Sequence, residues 1–301
     1  MTSVTVPETA SPSSAPATRT VPPRRAERGR LTGRVLLYAF LIALLAVFAL
    51  PLLWALSASF KSRSEIFSYP PQPLPIPGNL DNYRGLLDGY PFWTWLLTST
   101  VVALISTVVS VGLCSLAGFA FAKYRFRGQN ILFNVMFSSM AVPFAVIVVP
   151  LFIMIAKAQL TTPYFALVVP WVAPAFGIFM MRQFVEQSVP DALLDAARVD
   201  GCTEFGLFRR IVFPLLRPAL GALGVWSFLT SYNSLLWPLI VVSEPGDYTL
   251  PMGLQVIFSA TGRQYDLVLA GAVLAAVPSL LVFYVLRKQL LEGLTAGAVK
   301  S

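Results

Sequence analysis

Residues Ala158–Met181 read AQLTTPYFALVVPWVAPAFGIFMM, and residues Arg182–Phe213 continue as RQFVEQSVPDALLDAARVDGCTEFGLFRRIVF. The first stretch holds 24 residues without a charged side chain, whereas charged residues recur throughout the second. A helix of about 20 apolar residues crosses the hydrocarbon core of a bilayer. The change at Arg182 therefore predicts a transmembrane helix that leads into a polar loop.

Charge-free runs of this kind recur along the chain. Six of them reach 20 residues, and a buried helix of a soluble protein explains one such run more readily than six. They are Val35–Phe60, Gly89–Ala122, Gly128–Ala156, Ala158–Met181, Pro218–Ser243 and Leu267–Leu286. We therefore predict an all-α polytopic membrane protein, with spans over residues 35–58, 95–122, 131–156, 161–181, 218–242 and 267–287.

The composition supports a membrane protein and excludes several kinds of site. Hydrophobic residues make up 56% of the 301 residues and charged residues 12%, against roughly a quarter charged in a soluble domain. The absence of histidine excludes histidine acid–base catalysis and histidine metal sites. Cys114 falls within a span and Cys202 within a loop, so we expect no disulfide and no metal centre.

The lysine and arginine distribution predicts the orientation. If the N-terminus is cytoplasmic, the inner segments hold 17 of these residues and the outer segments 5. The positive-inside rule then places both termini in the cytoplasm. The net charge of +8 follows from this topology, and because the basic residues are divided among four inner segments we expect no nucleic-acid partner.

The chain divides into three regions on composition. Residues 1–34 are rich in Pro, Ser, Thr, Ala and Arg, which predicts a disordered basic cytoplasmic tail. Residues 35–289 form the transmembrane domain, and residues 290–301 a C-terminal cytoplasmic tail. The first charge-free run is longer than the signal-peptide core of about 7–15 residues, so we expect an uncleaved anchor.

The spans lack the residues that several transport mechanisms need. Ion-coupled carriers place ionisable residues near the middle of the membrane, and the six runs contain none. No lysine follows a glycine, so the chain has no phosphate-binding loop for ATP. An ATP-independent carrier or channel remains the alternative to a subunit that is driven by a separate ATPase. A membrane enzyme is disfavoured because paired intramembrane carboxylates are absent.

The loop over residues 182–213 predicts two short helices. Ser188 and Asp191 are typical of a helix start, and Gly201 of a helix end. Thr203 can begin the second helix, which Pro214 ends. Ala196 and Ala197 are small enough to let another protein surface approach closely, although periodicity equally allows a helix that lies on the membrane surface.

The spacing in this loop resembles the EAA loop of binding-protein-dependent ABC importer permeases. Asp195-Ala196-Ala197 is followed at the family's intervals by Gly201 and by Ile211-Val212-Phe213-Pro214, with Asp in place of Glu and Phe in place of Leu. Other segments resemble the carbohydrate-uptake branch and its shorter, six-span maltose-type permease. These are Ser59-Phe60-Lys61, Asn82-Tyr83, Tyr124–Gly128, Tyr232-Asn233, Trp237-Pro238-Leu239 and Gly293–Lys300.

This resemblance implies a type I ABC importer permease fold and a transport subunit rather than an enzyme. A sugar or oligosaccharide would cross the bacterial cytoplasmic membrane by alternating access. The implied partners are a second permease, which completes a heterodimer, an ABC ATPase dimer and an extracytoplasmic solute-binding protein, besides the membrane lipid. ATP and magnesium would be held by the ATPase, and this chain would bind no cofactor.

The resemblance also assigns residues to contacts. The ATPase-coupling residues would be Asp195, Ala196, Ala197, Gly201, Ile211 and Pro214. Leu294, Thr295, Ala296 and Gly297 would form a tail that contacts the ATPase. Arg198, Arg209 and Arg210 would pair with acids of a partner or with lipid headgroups.

Two further sets concern the substrate and the binding protein. Sugar sites combine aromatic faces with hydrogen-bonding groups, and the fifth span offers Ser231, Tyr232, Asn233 and Trp237, for which helix–helix packing is the alternative. In the family, the outer loop that corresponds to Glu244–Asp266 reaches toward the binding protein. Its expected tip is Gly262, Arg263, Gln264 and Tyr265, unless this is an ordinary connection.

Overall fold

A computed structural model describes residues 24–160, 162–260 and 263–296. Side chains are described over residues 33–160, 162–259 and 263–289. The predicted disordered tail therefore lies outside the described residues up to Pro23, as do Gly262 and Gly297.

Within the described ranges the regular secondary structure is helical. Three short 3-10 turns (Ser139–Ala141, Val169–Trp171 and Pro245–Asp247) and a π-helical segment (Phe208–Val212) interrupt or extend the α-helices. The α-helices are α1 Arg24–Ala58, α2 Arg63–Ile66, α3 Asp81–Gly89, α4 Phe92–Lys123, α5 Gln129–Ser138, α6 Phe144–Lys157, α7 Pro163–Val168, α8 Ala175–Ser188, α9 Asp191–Val199, α10 Glu204–Leu207, α11 Phe213–Leu215, α12 Arg217–Tyr232, α13 Pro238–Val241, α14 Leu250–Ala260 and α15 Tyr265–Ala296.

The chain forms two units, residues 1–53 and residues 54–301. Most of α1 belongs to the first unit, and Gly33–Ala58 is an apolar helix of 26 residues that is long enough to cross a membrane. The second unit contains α4 and α15, which are also long and apolar enough to span.

Three bent helix pairs complete the set of candidate spans. Their bends measure 114° between Gln129–Ala141 and Phe144–Lys157, 45° between Pro163–Trp171 and Ala175–Ser188, and 80° between Glu204–Leu215 and Arg217–Tyr232. A proline lies at each break or just after it: Pro143, Pro174 and Pro218. Because proline lacks a backbone donor and restricts the residue before it, a straight helix is disfavoured at these points. Counting each pair once gives six spans in the described residues, in agreement with the predicted all-α polytopic fold.

The structure differs from the expected helices near the fifth span. One span was expected over 218–242; in the structure α12 ends at Tyr232 and α13 begins only at Pro238. The expected outer loop Glu244–Asp266 contains the helix α14, which packs on α4 and α15 and buries Leu250 and Ile257. Its apolar run is shorter than the roughly 20 residues of a span, so run length alone does not reveal it.

Packing in the second unit centres on α4 and α12. Helix α4 packs against α8 and α12, and α12 packs against α15. At one end, buried side chains of α4, α8 and α12 meet those of α9 and α10 in one apolar group, which we call the inner cluster. Its members are Cys114, Phe119, Met181, Val185, Val189, Leu194, Leu207, Phe208, Val212, Leu216, Ala219 and Leu223.

Candidate functional site

The two short helices of the polar loop meet at Gly201. Helix α9 ends at Val199, and Gly201 adopts a left-handed conformation with φ of +81°. Thr203 then starts α10, because its Oγ1 accepts a hydrogen bond of 3.1 Å from the Gly206 amide. The expected start of α9 was wrong in detail, since Ser188 is the last residue of α8 and Pro190 precedes α9.

The two faces of α9 differ in what they contact. Leu194 is only 1% exposed and belongs to the inner cluster, and Ala197 packs against the same cluster. One residue earlier, Leu193 is 42% exposed, and Val199 is 88% exposed. Ala196 is exposed with them, because residues three apart share a helix face. The sequence grouped Ala196 with Ala197, whereas the structure turns only Ala196 outward.

The second half of the loop anchors the pair of helices. Leu207, Phe208 and Val212 are buried in the inner cluster, and Ile211 packs against it. Phe205 projects outward and is 66% exposed. We call Leu193, Ala196, Val199 and Phe205 the outer face of the loop. The helical path does not end at Pro214, which is exposed within α11, but bends at Leu216.

Hydrogen bonds and ion pairs tie the loop to the end of α4. Lys123 Nζ donates to Asp191 Oδ1 at 2.7 Å. Arg198 pairs with Asp195 at 2.9 Å and, through Nε, with Glu204 at 3.0 Å. The hydroxyl of Tyr124 completes the set by donating to Glu204. We call these six residues the polar bridge: Lys123, Tyr124, Asp191, Asp195, Arg198 and Glu204.

The ionisation of the polar bridge matches its hydrogen bonds. The hydrogen bond from Lys123 lowers the pKa of Asp191, and hydrogen bonds from Arg198 and Tyr124 lower the pKa of Glu204. Burial, followed by the hydrogen bond to Glu204, raises the pKa of Tyr124. At neutral pH both carboxylates are therefore charged acceptors and the phenol remains a donor.

The bridge changes the expected role of one arginine. Arg198 was expected to meet acids of a partner or lipid headgroups, but its guanidinium pairs with carboxylates of its own chain. Arg209 and Arg210 are exposed. The contributions of Lys123, Tyr124 and Glu204 were missed by sequence reasoning. The only signal was the Tyr124–Gly128 segment, whose similarity pointed to a family and not to a contact.

The outer motif residues serve a structural role. Asn82 is buried and its Nδ2 donates to the carbonyl oxygens of Ser59 and Lys61, each at 2.8 Å. Ser59 Oγ lies 2.7 Å from the hydroxyl of Tyr83. Lys61 is buried as well, donates to the Gln72 carbonyl and stacks over Trp54. The two separated motifs therefore meet and hold the segment between them.

The expected substrate-path residues do not form one surface. A cavity of about 440 Å³ opens between α12, α14 and α15, and Tyr232 and Asn233 line it. The Tyr232 hydroxyl donates to the Ala275 carbonyl at 2.9 Å, whereas Asn233 is exposed. Ser231 Oγ is buried without a hydrogen-bond partner among the described residues. Trp237 is fully buried and donates to the Ala166 carbonyl at 2.9 Å, so it packs in the core.

The expected tip of the outer loop is the short connection between α14 and α15. Arg263 is exposed there with φ of +54°. Gln264 accepts a hydrogen bond of 3.1 Å from Tyr90. Tyr265 begins α15, where its ring packs edge-on against Phe67 and Phe258.

The expected ATPase-contacting tail is described only in part. Leu294, Thr295 and Ala296 continue α15, and their side chains lie outside the described residues. Among the residues that could be searched, no group of Cys, Asp and Glu side chains is placed to hold a metal ion.

Comparison with known proteins shows one family whose region covers most of the helices and the loop described above. Residues 110–291 match the family described as "Binding-protein-dependent transport system inner membrane component". The chain belongs to this family. The matched region contains the inner cluster, the loop helices and the polar bridge, so the site described above is part of this permease domain.

Individual relatives cover almost the whole permease. This chain is 36% identical over 270 residues to the arabinooligosaccharides transport system permease protein AraQ of Halalkalibacterium halodurans. The match covers 87% of this chain and 94% of that protein. The chain is 31% identical over 278 residues to the diacetylchitobiose uptake system permease protein DasC of Streptomyces coelicolor, with 90% and 98% covered. These relatives confirm a transport subunit of an ABC importer rather than an enzyme.

A solved structure shares the fold. The crystal structure of a bacterial ABC transporter involved in the import of the acidic polysaccharide alginate contains a chain with a TM-score of 0.71 and 20% identity. The match covers 89% of this permease and 99% of that chain. It confirms the expected importer permease fold.

Proposed function

We propose that this permease carries a sugar or an oligosaccharide across the bacterial cytoplasmic membrane by alternating access, driven by ATP hydrolysis on a separate ATPase dimer. The relatives named for arabino-oligosaccharides and diacetylchitobiose support the substrate class. A second permease completes the pathway as a heterodimer, and an extracytoplasmic binding protein delivers the solute. ATP and magnesium are held by the ATPase, since this chain has no Gly-Lys phosphate-binding loop.

The observation that carries this proposal is the division of α9 into an anchored face and an open face. Leu194 and Leu207 hold the loop to α4, α8 and α12 through the inner cluster. The outer face presents three large apolar side chains, Leu193, Val199 and Phe205, beside the small Ala196. An exposed apolar helix face fits a groove of a partner protein. The ATPase dimer is the partner that this surface takes.

Motion of the ATPase then reaches the membrane helices by two routes. The inner cluster transmits displacement of α9 and α10 to α8 and α12, because a packed apolar core resists compression. The polar bridge connects the same two helices to the last turn of α4. Within this assembly Asp195 pairs with Arg198, Gly201 forms the turn between the helices and Ile211 packs against the inner cluster. Pro214 lies within α11, where the helical path continues to the bend at Leu216.

Cysteine cross-linking of neighbouring alanines tests this orientation. Ala196→Cys should cross-link efficiently to the ATPase, because that side chain faces outward. Ala197→Cys is the matched control and should cross-link poorly, because that position packs against the inner cluster. Equal capture from both positions, or no capture of a nucleotide-hydrolysing protein from Ala196→Cys, would contradict the proposal.

The broken fifth span is the proposed substrate path. Irregular backbone at membrane depth is tolerated where it lines a cavity, and α12 ends at Tyr232 beside the cavity lined by Asn233. Asn233 and the unpartnered hydroxyl of Ser231 can hydrogen-bond sugar hydroxyls as the path opens. Trp237 supports the path by packing. Arg263 and Gln264 are the proposed contacts for the binding protein, and Leu294, Thr295, Ala296 and Gly297 are the proposed contacts for the ATPase.

Reconstitution tests the dependence on partners and the substrate class. Liposomes with the complete importer and ATP should accumulate the sugar that the cognate binding protein selects in a ligand screen. Liposomes with this permease alone should not. Sugar uptake by the permease alone would favour the carrier or channel, and a binding protein that selects only non-carbohydrate solutes would overturn the sugar assignment.

A further inference from the structure

A second cavity lies where the start of α12 meets the end of α15. Its volume is about 490 Å³. It is lined by Arg217, Leu220, Gly221, Leu286, Lys288 and Gln289. The lysine and arginine distribution places this end of both helices on the cytoplasmic side of the membrane. The cavity is therefore at the level of the inner-leaflet headgroups.

The wall of this cavity depends on a close helix contact. A Cβ atom on Gly221 would lie 3.1 Å from Cγ of Gln289 and would overlap its Cβ. The glycine thus allows Gln289 to lie directly on α12. In this position Gln289 Oε1 is buried and has no hydrogen-bond partner among the described residues. A buried acceptor without a donor costs free energy and indicates that a hydrogen-bonding group is missing from the site.

The two cations of the cavity have no carboxylate near them among the described side chains. Within the described side chains, which end at Gln289, neither Arg217 nor Lys288 forms an ion pair. Arg217 is the first residue of α12, a helix of 16 residues whose positive dipole end adds to the local charge. The neighbouring Arg287 does not line the cavity but stacks over the Tyr284 ring, 4.0 Å from its centroid.

We propose that this cavity binds the headgroup of an anionic phospholipid of the inner leaflet. The phosphate lies between Arg217 and Lys288, which supply charge-assisted hydrogen bonds. When the Gln289 side chain turns toward the cavity that it lines, a headgroup hydroxyl, such as that of phosphatidylglycerol, donates to its Oε1. Leu220 and Leu286 provide apolar contacts for the glycerol and acyl carbons. Basic pockets between transmembrane helices at the cytoplasmic surface have the chemistry that retains such lipids.

The charges alone do not distinguish this site from ordinary basic residues at the membrane surface. Lysine and arginine side chains extend to the interface without any cavity. The distinguishing features are the recess of about 490 Å³ between two helices, the acceptor without a donor and the apolar pair on the same wall. Because all three belong to α12 and α15, the site is independent of the loop that contacts the ATPase, and it goes beyond the proposed transport function.

Lipid binding by the purified importer, with this permease in its complex, tests the proposal. Native mass spectrometry should show phosphatidylglycerol retained in preference to phosphatidylcholine. The double variant Arg217→Gln with Lys288→Gln should weaken that retention about thirtyfold, as expected for the loss of two juxtamembrane charges. Arg287→Gln is the matched control, because it removes an adjacent charge that does not line the cavity, and it should retain the lipid.

Three results would overturn the proposal. Equal loss in the Arg287→Gln control would show general surface attraction rather than a site. Unchanged retention in the double variant would place the lipid elsewhere. Displacement of the lipid by inorganic phosphate at millimolar concentration would identify a site for a free anion instead of a headgroup. Retention is measured on the assembled complex, so if the double variant fails to assemble, the single variant Lys288→Gln replaces it and should weaken retention about fivefold.

Discussion

At the scale of single residues, two adjacent leucines have opposite environments. Leu193 and Leu194 are both apolar and both lie on α9, yet one is 42% exposed and the other 1%. A helix turns by about 100° per residue, so neighbours face different surfaces. The sequence alone does not say which leucine is buried, and this choice decides which side chain anchors the loop and which meets a partner.

The leucine pair gives the first prediction. Leu194→Ala should lower the free energy of unfolding by about 2–5 kcal/mol, as for other fully buried leucines, because it opens a cavity in the inner cluster. Leu193→Ala should leave stability nearly unchanged but reduce ATP-driven uptake. Thermal unfolding and uptake by the complete importer measure the two effects. Similar stability losses in both variants would show that α9 is oriented differently.

Gly201 gives the second prediction, because its backbone conformation favours glycine. A Cβ atom at this position would meet nothing within 4 Å, so close packing within the chain does not require glycine. The requirement comes from φ of +81°, which costs a β-branched residue roughly 1–2 kcal/mol or more. Gly201→Val should therefore abolish uptake, while Gly201→Asn should retain much of it, because asparagine tolerates this conformation.

Membrane insertion and complex assembly are the controls for the Gly201 variants. Both proteins should reach the membrane in equal amounts. If Gly201→Asn were as inactive as Gly201→Val, then the backbone angle would not be the reason, and a partner surface that approaches Gly201 would be required instead.

At the scale of elements, α4 and α8 cross closely at glycines, and Gly118 is one of them. A Cβ atom on Gly118 would lie 2.7 Å from the Arg182 amide nitrogen and from Cβ of Met181. The helices cannot separate locally without disturbing the inner cluster, which contains Met181. Gly112 lies on the same helix, and a Cβ there would meet nothing within 4 Å.

These two glycines give the third prediction. Gly118→Ala should destabilise the protein by about 1–3 kcal/mol through overpacking. Gly112→Ala should be neutral or slightly stabilising, since alanine favours helix. Thermal unfolding in the same detergent compares them directly. Destabilisation by Gly112→Ala as large as that by Gly118→Ala would contradict the α4–α8 contact.

The polar bridge gives the fourth prediction. Asp191 is exposed, so solvent screens its pair with Lys123 and the pair adds little to stability. Lys123→Gln should leave assembly intact but lower sugar uptake per ATP hydrolysed, because α4 then follows the loop less closely. The exchange Lys123→Asp with Asp191→Lys should restore coupling. Failure of the exchange, together with unchanged coupling in Lys123→Gln, would remove the bridge from the mechanism.

The pH dependence of this contact follows from the direction of the pKa shift. Since the pKa of Asp191 is lowered from 3.8 in the folded state, its contribution is present above that value and is lost as the pH falls through the lower folded-state pKa. The difference in coupling between Lys123→Gln and the unaltered protein should therefore stay constant over about pH 6–8.

At the scale of the whole molecule, the two cysteines report the orientation. Cys114 is buried within α4, whereas Cys202 is partly exposed in the loop beside Gly201. Both are free thiols in the structure. Because they differ in exposure and depth, one membrane-impermeant reagent distinguishes the side of the membrane on which the loop lies.

Labelling of these thiols is the fifth prediction. An impermeant maleimide should label the permease in inside-out vesicles and not in intact cells, because Cys202 faces the cytoplasm. Cys202→Ser should abolish labelling, since Cys114 is inaccessible. Labelling in intact cells would reverse the predicted topology and remove the loop from any contact with a cytoplasmic ATPase.

The sequence by itself determined the features that depend on position along the chain. The lengths of the charge-free runs predicted the membrane helices, the basic residues predicted their direction, and the spacing from Asp195 to Pro214 placed the two loop helices around Gly201. These properties depend only on the order of residues along the chain. A span needs enough consecutive apolar residues, and a turn needs a residue that can adopt its backbone angles.

Only the tertiary structure decided which surfaces meet. It buried Leu194 and exposed Leu193, turned Ala196 away from Ala197, and brought Glu204 to Tyr124 across 80 positions of the chain. It also made a helix of residues Leu250–Ala260 and opened the basic cavity between α12 and α15. These outcomes depend on neighbours that are distant in sequence, because burial and pairing are set by the surface that covers a residue and not by the residue itself.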